Sequence, residues 1–144
     1  MTLNQISVFV ENKPGKLQIL TDALAGKNIN LRALSLAEAA EFGIVRLIVD
    51  DLEAAKAMLT EEGFIYTVTK VLGAAIPDEP GGLSRVLRVL SGAGVNVEYM
   101  YAFLGGKKAA HAYMIFHVQN PEAAVAALDE ACIACITQEG LLAL

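Results

Sequence analysis

The sequence contains the same short pattern twice, and this repeat constrains the fold more than any other feature. Pro-Gly-x-Leu is followed by Leu-x-Gly and then by Asn, from Pro14 to Asn30 and again from Pro80 to Asn96, an offset of 66 residues. The chain has 144 residues, so two copies fill most of it. A unit of about 70 residues matches a small α/β domain and is too long for a solenoid repeat. The sequence therefore predicts two domains, residues 1–71 and 72–144.

The first copy predicts the element order β-α-β-β-α-β. Alternating polar and apolar residues indicate half-buried strands, and leucines at helical spacing indicate amphipathic helices. The predicted strands cover residues 5–10, 29–36, 44–49 and 64–71, and the helices lie between Pro14 and Gly26 and between Asp50 and Gly63. This order is that of a ferredoxin-like α+β fold.

The second copy predicts the same order with a hairpin about three residues longer than that of the first copy. The predicted strands cover residues 71–76, 95–104, 109–118 and 133–137, the hairpin turn covers 105–108, and the helices cover 81–93 and 121–131. The last strand is short, and we expect a mobile tail after it.

Composition limits the partners. The net charge is -5 without a cluster of Lys and Arg, which argues against nucleic-acid binding because that depends on neutralising phosphates. The chain is 55% hydrophobic, yet no apolar run approaches the roughly 18 residues of a membrane-spanning helix. The apolar excess therefore predicts contacts between domains or between copies, with a homodimer as the simplest assembly.

The N-terminal residues lack the features of a secretory signal, so we expect a cytoplasmic protein.

The two Pro-Gly loops are the strongest candidates for a binding site. A glycine where a helix begins lets another molecule approach the backbone, and the free N–H groups of the first turn favour a carboxylate. Asn30 and Asn96 follow the helices and could bind both head groups of an amino acid. The alternative is purely structural: Pro-Gly shapes a turn, and each Asn satisfies local backbone.

The motifs resemble those of the ACT domains, small β-α-β-β-α-β modules that bind amino acids and regulate metabolic enzymes. In that family the first loop often reads Asp-x-Pro-Gly-x-Leu, and the turn before the second strand reads Gly-x-Asn-Ile. The second copy has Asp78-Glu79-Pro80-Gly81-Gly82-Leu83 and Gly94-Val95-Asn96-Val97. The first copy has Asn12 where the family has the acidic residue, and then Lys13-Pro14-Gly15-Lys16-Leu17.

The resemblance implies that two ACT domains pack side by side with joined antiparallel sheets. A free amino acid would then lie between the Pro-Gly loop of one domain and the second strand of the other. One site would comprise Asn12, Lys13, Pro14, Gly15, Lys16, Leu17, Asn96 and Val97, and the other Asp78, Glu79, Pro80, Gly81, Gly82, Leu83, Asn30 and Leu31.

The two implied sites differ in charge. Asp78 could pair with a ligand ammonium, whereas Asn12 could only hydrogen-bond to it. Lys13 and Lys16 could instead favour an acidic ligand or the ligand's carboxylate. The resemblance thus implies an amino-acid-binding regulatory protein that acts on an enzyme partner of unknown identity. The alternative is a ligand-free assembly module of the same fold.

Other candidate groups point to weaker hypotheses. Cys132 and Cys135 form a CxxC, a spacing found in metal and redox sites, but the chain has no second ligand pair, and two reduced thiols fit better. His111 and His117 are separated by roughly 20 Å along a strand, too far to share a metal. No catalytic or phosphate-binding motif appears, so we expect no enzyme activity, cofactor or metal.

One prediction concerns the second strand of the second copy. By strand alternation, Val97, Tyr99 and Tyr101 should share one face, with Asn96, Glu98 and Met100 on the other. The two tyrosines could then line a ligand pocket or pack at a domain interface.

Overall fold

The computed structural model describes residues 1–103 and 111–144. The chain divides by contacts into two units, Asn4–Thr69 and a second one that combines Met1–Leu3 with Lys70–Leu144. We call them the N-terminal unit and the C-terminal unit. The domain boundary predicted between residues 71 and 72 stays a prediction. Within the described residues, no helix is long and apolar enough to cross a membrane.

The N-terminal unit has the predicted β-α-β-β-α-β order. Its elements are β1 (Leu3–Glu11), α1 (Lys16–Gly26), β2 (Leu31–Ala39), β3 (Phe42–Val49), α2 (Leu52–Glu61) and the first part of β4 (Ile65–Pro77). The strands are ordered β2-β3-β1-β4, and β3 pairs antiparallel with both β1 and β2. This is the ferredoxin-like topology.

The core of the N-terminal unit lies between one face of the sheet and the two helices. Side chains alternate along a strand, so Ile6, Val8 and Val10 of β1 all enter the core. Leu20 of α1 and Met58 of α2 meet them there, and both are fully buried. The core therefore fixes where β1 ends and α1 begins, which is the position of the first Pro-Gly loop.

The C-terminal unit repeats this architecture. Its elements are the second part of β4, α3 (Gly82–Gly92), β5 (Val97–Ala102), β6 (His111–Val118), α4 (Pro121–Glu130), β7 (Cys135–Ile136) and α5 (Gln138–Ala143). The strands are ordered β7-β4-β6-β5, with antiparallel pairing throughout. Phe116, Val86 and Leu128 contribute to its core.

Two expectations about the elements need correction, and one lies outside the described residues. The strands predicted at 64–71 and 71–76 form a single strand, β4. The prediction of a mobile tail was wrong, because residues 138–143 form α5. Leu141 of this helix is fully buried, and Thr137, just before it, accepts a hydrogen bond from the Gly140 N–H at 2.9 Å. A buried leucine and a capping hydroxyl stabilise even a short helix. The predicted turn at 105–108 belongs to the part of the chain that is not described.

The strand register locates the extra residues of the second hairpin. Ile6 pairs with Leu47, and Leu72 pairs with Phe116. From Ile6 to Leu72 the offset is 66 residues, and from Leu47 to Phe116 it is 69, which places three additional residues between the first and third strands of the second copy. Positions after the hairpin therefore correspond at an offset of 69.

Candidate functional site

Each Pro-Gly loop places a glycine in a left-handed backbone conformation just before a helix. Gly15 has φ +83° and precedes α1, and Gly81 has φ +90° and precedes α3. Residues with a side chain rarely adopt this conformation, so both turns require glycine. No atom lies near the position of a Cβ at either glycine. The backbone at both helix starts is therefore accessible to a ligand.

The helices that follow the Pro-Gly loops begin without a side-chain cap. In contrast, Asp51 caps α2, Asn120 caps α4 and Thr137 caps α5, each by accepting a hydrogen bond from a first-turn N–H. In the described part of the chain, no side chain does this for α1 or α3. The first turn of a helix has N–H groups without an intrahelical acceptor and a positive dipole end. Both starts can therefore receive a carboxylate.

In the N-terminal unit, Asn12 connects the Pro-Gly loop to the β2–β3 turn by hydrogen bonds. Its Nδ2 donates to the carbonyl of Ala40 at 3.2 Å, and its backbone N–H donates to the carbonyl of Glu41 at 2.9 Å. The side chain therefore makes a structural contact with a turn 28 residues away in the sequence. One of its amide hydrogens is thus committed within the protein.

The charges of the same loop are largely paired. Glu11 Oε2 lies 2.8 Å from Lys13 Nζ, and Glu11 Oε1 lies 3.8 Å from Lys16 Nζ. The hydrogen bond from Lys13, followed by the charges of Lys13 and Lys16, lowers the pKa of Glu11, and Glu11 in turn raises the pKa of Lys13. The loop therefore offers a ligand less positive charge than two lysines alone would provide.

A cavity of about 430 Å³ lies beside this loop, within the N-terminal unit. Asn12, Lys13 and Leu17 line it from the loop side, and residues 36–38 of β2 line it from the other side. Residues 36–38 are not among the site residues predicted from the sequence. Their position beside the loop depends on strand pairing between distant parts of the sequence. Both β1 and β2 pair with β3, which brings the end of β2 beside the loop.

In the C-terminal unit, Asp78 stands where Asn12 stands in the N-terminal unit. Asp78 is exposed, and no described residue pairs with its carboxylate. Gly82, three residues into the repeated motif, is buried, and a Cβ there would clash with the Pro77 carbonyl oxygen. Gly82 is thus required by the course of the loop itself. The N-terminal unit has Lys16 at this position.

The asparagines lie far from the Pro-Gly loop of their own unit. Leu31, next to Asn30, pairs with Val49, whereas Glu11 at the start of the loop pairs with Phe42. These levels are about 25 Å apart along the strands. The Asn30 N–H donates to Asp50 Oδ1 at 2.9 Å, and its carbonyl accepts from the Asp50 N–H at 3.1 Å. Within one unit, the Pro-Gly loop and the asparagine therefore do not lie in the same site.

Both second strands are irregular directly after the asparagine. The register shifts between Leu31 and Ala33 in β2 and between Val97 and Tyr99 in β5, which are corresponding positions. The extra residue reverses the side-chain alternation. Val97 therefore packs against the core with Met100, and the prediction that it shares a face with Tyr99 was wrong.

The ring of Tyr99 stacks on that of His117, at a centroid distance of 4.7 Å. His117 Nδ1 also lies close to a carboxylate, 2.6 Å from Glu98 Oε2. These contacts place both side chains in a cluster on the face of neighbouring strands β5 and β6. The tyrosine packs within its own unit.

The two cysteines lie near β7. Cys132 is exposed, and Cys135 is half-buried. Burial, with a smaller contribution from the charge of Asp129, raises the pKa of the Cys135 thiol and keeps it protonated at neutral pH. Across residues 1–103 and 111–144, no three His, Cys, Asp or Glu side chains are grouped so that they could hold a metal ion.

These features match one family over the full chain. The model of the ACT domain pair matches residues 1–144. The chain belongs to the ACT domain family. We therefore call the two units ACT domains. The ACT fold is regulatory rather than catalytic, and the side chains that form a ligand site in this chain stay a prediction.

Solved structures agree with this assignment. Protein BT0572 from Bacteroides thetaiotaomicron is 38% identical, with a TM-score of 0.91 and coverage of 100% of this chain and 98% of that one. The regulatory subunit of aspartate kinase from Thermus thermophilus, in a ligand-free form, is 18% identical, with a TM-score of 0.62 and coverage of 89% and 91%. The corresponding subunit from Thermus flavus is also 18% identical, with a TM-score of 0.57 and coverage of 90% and 92%. The two aspartate kinase subunits share the fold. A search of curated proteins found no match.

Proposed function

We propose that this protein binds a free amino acid and uses it as a regulatory signal. The two Pro-Gly loops would hold the ligand's α-carboxylate on the first-turn N–H groups of α1 and α3. The observation that supports this most is the contrast in capping: the helices after the Pro-Gly loops lack a side-chain cap, whereas α2, α4 and α5 have one. Membership of the ACT family supports the same class of ligand.

We propose different roles for the two loops. The Asp78 carboxylate has no partner among the described residues, so it would accept hydrogen bonds from the ligand ammonium. The Asn12 amide already donates to Ala40, and Glu11 already pairs with both lysines of the loop. The loop at Asp78 should therefore bind an amino acid more tightly than the loop at Asn12.

The family resemblance supports a further proposal about the second half of each site. The loop of one ACT domain would be completed by the second strand of a neighbouring ACT domain, through Asn30 and Leu31 or through Asn96 and Val97. The strand irregularity after each asparagine supports this, because such bulges re-aim backbone groups and are common beside functional sites.

We also propose that the chain forms a homodimer and acts on a separate enzyme. Phe9 and Phe42 are exposed on neighbouring strands β1 and β3, and both lie on the sheet face opposite the core. Clustered exposed aromatic side chains favour burial against another protein surface. The mass expected for a dimer is twice that of the 15.3 kDa chain.

A thermal-shift screen against the twenty amino acids tests the proposed function. One or a few should stabilise the protein, since a ligand at a hundred times its dissociation constant adds about 2.7 kcal/mol. Asp78→Asn should then weaken that ligand about tenfold or more, because a charge-assisted hydrogen bond is lost. Asp22→Asn is the matched control, since Asp22 is an exposed aspartate of α1 outside the loops.

The proposal fails if protein shown to be free of bound ligand is stabilised by none of the twenty amino acids. If Asp78→Asn and Asp22→Asn bind the ligand equally well, the assignment of the ligand to the loop at Asp78 is wrong.

A further inference from the structure

The C-terminal ACT domain contains a cavity of about 440 Å³ that shares only Gly82 with the residues proposed for amino-acid binding. Its walls come from β4, β6, the first turns of α3 and the segment from Cys132 to the end of the chain, all within the C-terminal unit. The segment includes α5, which has no counterpart in the N-terminal unit because there the chain continues along β4. This volume lies in the range of small-molecule sites.

Small side chains open this space. Ala75 corresponds to Phe9 at the offset of 66, and Ala134 corresponds to Ile65 at the offset of 69. Both alanines line the cavity, whereas the N-terminal unit has large apolar side chains at the two positions. The cavity is thus a property of the second ACT domain and not of the repeated motif.

The cavity wall contains a buried hydroxyl without a partner. Tyr113 is 5% exposed, and its hydroxyl makes no hydrogen bond with any residue that the structure describes. A buried polar group left unsatisfied destabilises the protein. A ligand oxygen that accepted a hydrogen bond from this hydroxyl would remove that destabilisation.

The same wall has one cation and an apolar surface. Arg85 of α3 lines the cavity, and no described carboxylate forms an ion pair with it. Val86 and Ile133 add apolar surface from the core side. Guanidinium groups bind carboxylates through paired N–H donors.

We propose that this cavity binds a small organic acid, with its carboxylate at Arg85, its branched apolar body against Val86 and Ile133, and an acceptor oxygen at the Tyr113 hydroxyl. A branched-chain 2-oxo acid has all three features. It lacks the ammonium that Asp78 would bind, and Asp78 is not in the cavity wall. The cavity and the amino-acid site thus share Gly82 but differ in the side chains that would bind the ligand.

An NMR titration with α-ketoisocaproate tests the proposal, with its primary amide, 4-methyl-2-oxopentanamide, as the neutral comparison. The acid at millimolar concentration should give saturable shifts at the backbone amides of Ala134 and Gly140, which lie outside the Pro-Gly loop, and the amide should give much weaker ones. These shifts do not depend on whether any amino acid binds the Pro-Gly loops. Failure here and failure of the proposed function are thus separate results.

Three variants and one control make the test specific. Arg85→Gln should weaken the acid about tenfold or more, whereas Arg88→Gln, an exposed arginine of the same helix outside the cavity, should not. Tyr113→Phe should weaken it several-fold, and Ala75→Phe should abolish binding by filling the space. The proposal is overturned if the cavity amides do not shift saturably, or if the two arginine variants bind the acid equally.

Discussion

At the scale of the residue, three glycines of the Pro-Gly loops serve two different purposes. Gly15 and Gly81 permit a left-handed turn, and this role could be predicted because it depends only on the local order of strand, Pro-Gly and helix. Gly82 prevents a clash with the Pro77 carbonyl, which depends on how closely the loop folds back on its strand. The partner of Asn12 was equally unpredictable, because Ala40 is 28 residues away.

Replacing Gly82 with alanine should test the steric account of this loop. We expect Gly82→Ala to lower the free energy of unfolding by about 1–3 kcal/mol, the usual cost of forcing an extra atom into a packed site. Gly92→Ala is the matched control in the same helix, because no atom lies within reach of a Cβ there. Urea unfolding of both variants provides the measurement. Equal stability of the two variants would show that the Pro77 carbonyl does not constrain Gly82.

At the scale of the element, the repeated helices and strands followed from sequence periodicity, and the exceptions had non-local causes. The strand bulges after Asn30 and Asn96 arise from pairing with β3 and β6, so counting residues along β5 assigned Val97 to the wrong face. The tail after the short last strand was expected to be mobile, and residues 138–143 are too few to show a helical period. Burial of Leu141 and the Thr137 cap nevertheless stabilise α5.

Alanine at two adjacent leucines of α5 should separate its buried side from its exposed side. Leu141→Ala should lower the free energy of unfolding by about 2–5 kcal/mol, because it leaves a space in a packed core. Leu142, which is 49% exposed, serves as the control, and Leu142→Ala should change stability by less than about 0.5 kcal/mol. Thermal unfolding of both variants measures this, and similar losses would mean that α5 does not pack as described.

At the scale of the whole molecule, duplication made the fold predictable because each copy served as a test of the other. The regulatory class then followed from the family, whose model spans both copies. The part of the candidate site that could be predicted is the pair of Pro-Gly loops, because their motif is local in the sequence. The contrast in helix capping, the ion pairs of Glu11 and the two cavities could be seen only in the structure. The cavity beside α5 shows that the second copy has acquired features absent from the repeated motif.

In the proposed function, the free first-turn N–H groups of α1 and α3 receive the carboxylate of an amino acid. Backbone amide shifts during titration with the stabilising amino acid test this directly. The amides of Leu83 and Ser84 should shift saturably at lower ligand concentration than those of Leu17 and Gln18, while the first-turn amides of the capped helix α2 stay in place. Saturable binding that leaves both Pro-Gly loops unshifted would contradict the account.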